Sequence, residues 1–416
     1  MNRGIAIVGA PSSIGIRPYD SGETRQLDRA PAVLRELGLV QRLGASDLGD
    51  VIPPAYRDFV RPPGRARNEA EVAAYCRMLG ERVEAATRDR RFAVVLGGDC
   101  SIVLGSLLGA RQSVQGRGPL GLAYVDAHAD FATPEESRTG SVASMCLGLA
   151  VGRGETPLAR LAGDEPLVHA KNVVLIGRRD AAEPWYGHAA LAASPILDIP
   201  GAALNDRCLA DVAAAALLSL ASPGPSEELG GFWIHLDADV INPAVMPAVD
   251  SPTLGGPTIE EVVDLLIPFV HHPRALGLEL TIYDPGLDPD RSCRRQAGHV
   301  AGEPSPWRSL AGKEGWMIAR IWHGMVPVAK GDEYLDLMRR IALPEYLATR
   351  GNRGGWCLYR TDGDVTHFEM LTFWDDADAI KRFAGDDYSL AKYYDFDSDY
   401  LIEMEPRVRH YKVLPG

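Results

Sequence analysis

Six short apolar runs constrain this chain more than any other feature. They are Gly4 to Val8, Phe92 to Leu96, Gly121 to Val125, Val173 to Ile176, Phe232 to Leu236 and Leu276 to Ile282. Each run is nearly continuous rather than alternating, the pattern of strands buried on both faces of a parallel sheet. Segments of helical length lie between them, among them Glu69 to Arg88, Asp211 to Ala221 and Ile259 to Phe269. Pro257-Thr258 followed by Glu260-Glu261 reads as the start of the last of these. Strands alternating with helices predict an α/β domain built on a mostly parallel sheet. It spans residues 1–295, enough chain to bury a large core.

Residues 296–314 are rich in Gly, Pro and Ser, show no apolar period, and read as a linker. A second domain is expected over 315–416. Trp316 to His323 reads as a strand and Val328 to Ala348 as a helix broken near Pro344. Gly355 to Arg360 and Thr366 to Trp374 read as strands joined at the turn signal Asp362-Gly363. Ala377 to Ala384 reads as a helix and Pro406 to Val413 as a last strand. The order β-α-β-β-α-β is that of a ferredoxin-like α+β unit.

Composition narrows the functional classes. The chain has 416 residues, 43 Lys plus Arg against 56 Asp plus Glu, and a formal charge of -13. That acidic balance argues against nucleic acid and anionic membranes as partners. No apolar stretch approaches the roughly 20 residues of a membrane span, and the start lacks the apolar core of a signal peptide. Six widely spread cysteines without a CxxC pair fit a reducing, cytoplasmic compartment with free thiols.

Three short motifs carry the chemistry, each directly after an apolar run. Asp126-Ala127-His128-Ala129-Asp130 alternates, so in an extended segment three ligand-type side chains point one way. Asp237-Ala238-Asp239 repeats the arrangement at another strand end. Gly97-Gly98-Asp99-Cys100 supplies a tight turn that aims Cys100 at the same place. Ligand sites in open α/β sheets sit at such carboxyl ends. Alone, a DxH or DxD pattern is most often a cap or surface ion pair, and a lone cysteine a small buried hydrophobe. Together they place Cys100, Asp126, His128, Asp130, Asp237 and Asp239 around one centre. So many acids need a counter-charge, and divalent ions supply it. Four shared carboxylates suit two ions about 3.5–4 Å apart with a bridging water. Carboxylate and imidazole fit Mn²⁺, while a thiolate shifts the preference toward Zn²⁺ or Fe²⁺. His235 reads as a core histidine.

On these motifs, with Ile7-Val8-Gly9-Ala10-Pro11 before them and Gly277-Leu278-Glu279-Leu280-Thr281-Ile282-Tyr283-Asp284-Pro285 after, residues 1–295 resemble the arginase/agmatinase (ureohydrolase) family. The resemblance implies a three-layer α/β fold, a binuclear, usually Mn²⁺, site and hydrolysis of a guanidino or amidine C–N bond by a metal-bridging hydroxide. By position it implies that Cys100, Asp126, Asp130 and Asp237 hold one ion. Asp126, His128, Asp237 and Asp239 hold the other. Asp130 is the expected acceptor of the hydroxide's proton.

The chain departs from the family pattern at several points. Cys100 replaces a His, Ala143 stands at the proton-shuttle position and Ala132 where arginases use Asn on the substrate carboxylate. Ile282 takes the place of the Glu that binds the guanidinium. Glu279 is the remaining acid on that run and the candidate substrate contact, provided that a bulge corrects its face. Ser251 is expected to line the pocket. Cys100, the non-His shuttle position and Phe131-Ala132-Thr133-Pro134-Glu135 are similar to the N-hydroxyarginine hydrolase of D-cycloserine biosynthesis, which implies a modified guanidine and specialised metabolism. Two alternatives stand beside this reading. One is a thiol enzyme with Cys100 as nucleophile and His128 as base. The other is a catalytically silent binding protein.

The stretch from Met317-Ile318-Ala319-Arg320-Ile321-Trp322-His323-Gly324 through Thr372-Phe373-Trp374 to Val408-Arg409-His410-Tyr411 resembles the antibiotic biosynthesis monooxygenase-like family of dimeric α+β barrels. That implies a homodimer through the second domain. Trp322, Trp356, Phe373 and Trp374 read as core or interface packing.

Overall fold

The computed structural model describes residues 3–57, 61–182, 187–206, 209–221, 228–288 and 317–413. The chain divides into two compact units, residues 1–312 and 313–416. The expected linker, 296–314, lies outside the described residues, as do Trp316, Cys208 and Cys293.

The first unit is built on eight strands: β1 (Ile5–Gly9), β2 (Ser46–Asp50), β3 (Phe92–Leu96), β4 (Leu120–Val125), β5 (Val173–Ile176), β6 (Leu197–Ile199), β7 (Gly231–Asp237) and β8 (Ala275–Thr281). Their order is β2-β1-β3-β8-β7-β4-β5-β6, and every ladder is parallel. All positions of β1, β3, β4, β5 and β7 are buried, so the apolar runs are interior strands as expected. β2 and β6 escaped the sequence pattern because they are the two edges. β2, Ser-Asp-Leu-Gly-Asp, is exposed or half-exposed throughout and needs no apolar run. Polar edges also discourage pairing with another chain.

Helices cover the sheet, among them α1 (Glu69–Thr87), α2 (Ile102–Ser113), α3 (Leu209–Ala221) and α4 (Ile259–His271). α4 opens with a capping box, in which the Thr258 side chain takes the Glu261 N–H and Glu261 returns to the Thr258 N–H. α1 and α2 pack closely at Gly109, where an added Cβ would lie 2.3 Å from the Gly80 carbonyl oxygen. Among the described residues, Cys76, Cys100, Cys146 and Cys357 are free thiols. No helix among them is long and apolar enough to cross a membrane.

The second unit is an antiparallel α+β domain. β9 (Met317–Pro327), β10 (Asn352–Asp362), β11 (Val365–Trp374) and β12 (Arg409–Val413) pair in the order β10-β11-β9-β12. Between β9 and β10 the expected single helix is composite. α5 (Gly331–Leu337) runs through a π-helical turn, Met338–Ala342, into α6 (Leu343–Ala348). Pro344 therefore falls in the first turn of α6, directly after the π-helical turn. Gly363, at φ +57, turns the β10–β11 hairpin. α7 (Ala377–Ala384) follows β11. Phe368, Met370 and Trp374 of β11 and Trp322 of β9 point into a core shared with Tyr346 and Phe383. On the other face Trp356 packs edge-on against Phe373, with their ring centres 5.6 Å apart.

Candidate metal centre

β3, β8, β7 and β4 are neighbours in the sheet, so the segments that leave their carboxyl ends emerge side by side. After β3 the chain must turn hard against the segment that follows β1. At Gly98 an added Cβ would lie 2.0 Å from the Ser12 carbonyl oxygen, so only glycine fits there. Asp99 anchors the turn. It is fully buried and accepts from Ser12 Oγ at 3.1 Å, Gly15 N at 3.1 Å and Ser101 N at 2.9 Å. Its carboxylate is thereby used up, and Cys100 is the side chain left facing the centre. The Cys100 thiol donates to Asp237 Oδ2 at 2.8 Å.

The acids after β4 and β7 are locked by their own backbones. The His128 N–H donates to Asp126 Oδ1 at 2.7 Å, and the Asp239 N–H donates to Asp237 Oδ1 at 2.8 Å. Two ligand groups result. Cys100, Asp126, His235 and Asp237 each offer an atom, all within 4.8 Å of one another, and Asp126, His128 and Asp239 form the second group. Asp126 is common to both. His128 Nδ1 lies 3.0 Å from Asp239 Oδ2 and 3.6 Å from Asp126 Oδ1. Its Nε2 meets Thr253 Oγ1 at 3.1 Å.

Two side chains near these groups sit where spacing alone did not put them. Asp130 lies outside both groups. The chain bends at Ala127 and His128 and takes φ +45 at Asp130, so the strict alternation that should have aligned 126, 128 and 130 ends early. The Asp130 carboxylate instead accepts the Tyr124 hydroxyl at 2.7 Å. His235, expected to be plain core, sits inside the first group because it is two residues before Asp237 on one face of β7.

Concentrated buried charge shifts these groups. Burial, reinforced by Asp126, pushes the Asp237 carboxyl up to about 6. Burial also raises Asp239, with Asp237 adding, and Asp130, with Asp126 adding. For Asp126 burial acts upward too, but the neighbouring His128 and His235 imidazoles prevail and hold it down at about 2. Burial and then Asp237 raise the Cys100 thiol well above its usual range. Asp126 Oδ2 and His235 Nε2 are buried without hydrogen-bond partners and face each other at 3.8 Å. Orphaned donor atoms directed at one point, among carboxylates that repel each other, fit divalent cations.

A cavity of about 200 Å³ opens above these groups. Cys100, Asp126, His128, Asp130, Asp237 and Asp239 form its floor, and Arg17, Arg25, Asp250, Ser251 and Ile282 belong to its wall. Arg25 Nε donates to Asp250 Oδ1 at 2.6 Å, and its guanidinium covers the Tyr19 ring at 4.1 Å. Six non-glycine residues of the described chain have positive φ, and three of them, Asp130, Ser251 and Ile282, line this cavity. Strain concentrated in one place is a mark of a functional site.

The sequence profile of the arginase family matches residues 3–303. The chain belongs to the arginase family. An arginase from Bacillus caldovelox is 32% identical over 258 residues, covering 60% of this chain and 82% of that protein. The crystal structure of the Bacillus caldovelox arginase superposes with a TM-score of 0.63 at 26% identity, over 75% of this chain and 99% of that one. A formimidoylglutamase from Bacillus subtilis shares the fold at 19% identity and a TM-score of 0.55, over 73% and 87% of the two chains. Arginase-family proteins are binuclear metal-dependent hydrolases of guanidino and amidino C–N bonds, and the paired ligand groups here accord with that.

This family member differs from the common pattern inside the cavity. Ile282, at φ +66, lines the wall where the family carries its guanidinium-binding Glu, and Ala143 lines it at the shuttle position. The expected role of Glu279 in substrate binding is not met. β8 keeps its register, with His235 opposite Glu279 and Asp237 opposite Thr281. No bulge brings Glu279 round, and it lies wholly buried against Ser106 Oγ at 2.5 Å and His235 Nδ1 at 2.8 Å. Asp180 was also missed. It takes the Ala129 N–H at 2.8 Å and braces the segment that carries Asp126 and His128.

Proposed function

We propose that the protein is a two-metal hydrolase that cleaves a C–N bond in a guanidino, N-hydroxyguanidino or amidine compound. One observation carries this reading: two ligand groups share Asp126 beneath an open cavity. Cys100, Asp126, Asp237 and His128 with Asp239 would hold the ions, Mn²⁺ in the first instance, with Zn²⁺ or Fe²⁺ favoured by the thiol. Bound there, divalent ions activate a water and stabilise the negative charge that develops at the carbon under attack.

The protein's own groups set the rest. Asp130, held by Tyr124 at the cavity floor, would take up a proton from the attacking water. With Ile282 and Ala143 in the wall, neither a carboxylate for a guanidinium nor a shuttle histidine is present at those positions. That favours a substrate whose reacting group is less basic and whose leaving group is more acidic than those of arginine, because such a leaving group needs less proton assistance. N-Hydroxyguanidines meet the first condition, consistent with a role in specialised biosynthesis. Ser251 at the rim is a substrate contact in this reading.

For the second domain the proposal is homodimerisation through its open sheet face. Trp356 is 53% exposed, Leu358 47% and Tyr411 49%, an apolar surface of the kind that marks interfaces. Free thiols favour the cytoplasm as the compartment.

The test is a substrate panel of arginine, N-hydroxyarginine, agmatine and simple amidines, with urea, hydroxyurea and ammonia as readouts, with and without added Mn²⁺. Metal-dependent release from the N-hydroxy compound, abolished in Asp126→Asn, supports the reading. Tight binding of two ions with no turnover of any compound favours the silent binding protein instead.

A further inference from the structure

The Cys100 group contains a residue that the pattern of paired aspartates does not call for. We infer that His235 is a metal ligand through Nε2 and that Glu279 is the positioning residue that fixes its ring. The inference rests on the metal-dependent reading above.

The geometry is that of a carboxylate–histidine–metal relay. Both residues are completely buried. They are register partners on the parallel strands β7 and β8. Glu279 Oε1 accepts from His235 Nδ1 at 2.8 Å, and Glu279 Oε2 is itself tied to Ser106 Oγ at 2.5 Å. With Nδ1 carrying a hydrogen for Glu279, Nε2 is the ring atom that offers a lone pair. It has no hydrogen-bond partner and faces the equally unpartnered Asp126 Oδ2 at 3.8 Å, beyond hydrogen-bond length. The Tyr124 ring stacks on the imidazole at 4.2 Å and an interplanar angle of 19°, so the ring cannot swing away. Metal-bound histidines characteristically hand their other ring nitrogen to such a carboxylate, which fixes the tautomer and raises ligand basicity.

The donor set has a chemical consequence. Sulfur, imidazole nitrogen and two carboxylate oxygens make the Cys100 position softer than the carboxylate-rich position of Asp126, His128 and Asp239. The former favours Zn²⁺, Fe²⁺ or Co²⁺, and the latter accepts Mn²⁺ more readily. The two positions thus differ in selectivity. Glu279, left without the substrate by the register of β8, serves in the fold as the support of a ligand.

The test uses the full chain, titrated with Co²⁺ and with Mn²⁺, with ion content and spectra as readouts. His235→Asn preserves a donor for Glu279 but offers nothing at the Nε2 position. It is expected to drop ion content from two per chain to one and to remove the cobalt–thiolate absorption that wild type shows. Glu279→Gln, which keeps the hydrogen bond but not the charge, is expected to weaken that ion about 10–100-fold. Pulsed EPR of the Mn²⁺-loaded protein should count imidazoles of both His128 and His235 in wild type and one in His235→Asn. Thermal melting without metal verifies that each variant is folded. Two ions at wild-type affinity in a folded His235→Asn protein, with the thiolate band intact, would overturn the inference and leave the metal-dependent reading standing. Wild type that takes up no ions would overturn both.

Discussion

Cys100 Sγ lies 2.8 Å from Asp237 Oδ2, although 137 positions separate the two in sequence. A thiol pressed onto a carboxylate, both buried, is stable only while one proton stays between them. It is also half of a ligand set. The first prediction concerns this contact. Cys100→His, which restores the residue common in the family, is expected to keep two ions per chain and to move preference toward Mn²⁺ by at least tenfold over Zn²⁺. Competition titration followed by elemental analysis measures it. Unchanged selectivity would show that the sulfur is not a ligand.

The pH dependence follows from Asp237, whose carboxyl is raised from near 4 to about 6. A raised acid stabilises the fold below its unfolded value and loses that contribution as pH rises through its folded value, here on the order of 3 kcal/mol. The metal-free protein should therefore lose stability between about pH 4 and pH 7 from this group. Bound cations require the carboxylate, so the gain in melting temperature on adding Mn²⁺ should grow over the same interval. Scanning fluorimetry with EDTA or Mn²⁺ reads both. A gain independent of pH would count against the assignment.

Arg25 and Asp250 form a pair whose side chains are only 9% and 10% exposed. Removing one partner strands the other charge, at a cost of about 3 kcal/mol. Asp250→Asn is therefore expected to lower the denaturation midpoint clearly, and to lower activity because Arg25 and Asp250 both line the cavity. Equilibrium denaturation in urea measures the first effect. A change below about 1 kcal/mol would mean that the pair is solvated and contributes little.

Ile282 tests the substrate reading. Ile282→Glu puts a carboxylate on the cavity wall, where it can pair with a cationic guanidinium of the substrate. Its kcat/KM on arginine or agmatine is expected to rise at least tenfold over wild type, while that on an N-hydroxyguanidine changes less. Equal effects on both substrates would contradict the reading.

On the second domain, Trp356→Asp combined with Leu358→Asp is expected to convert a dimer of the 45.0 kDa chain into a monomer without unfolding it, since both side chains are about half exposed. Sedimentation velocity decides. A wild-type chain that is already monomeric would refute the dimer.

Much of this was legible locally. Interior strands announce themselves because burial on both faces demands unbroken apolar runs, and Cys100, Asp126, His128, Asp237 and Asp239 stand at the ends of three of them. The parts that were not legible depend on partners distant in sequence. His235 and Glu279 belong together only through the register of β7 on β8, and Tyr124 joins them through the register of β4 on β7. Spacing reveals the alternation of Asp126, His128 and Asp130 but not the bend that hands the Asp130 carboxylate to Tyr124. Arg25 and Asp250 are 225 positions apart and carry no mutual signal in the sequence. The edge strands β2 and β6 were invisible for the opposite reason, because half-solvated strands obey no apolar rule.

Elemental analysis of the purified chain after loading with Mn²⁺ and exhaustive dialysis tests the central claim most directly. The account predicts about two ions per chain, falling to one or none in Asp237→Asn. A folded wild-type protein that retains no divalent ion, or an Asp237→Asn variant that retains as many as wild type, would contradict it.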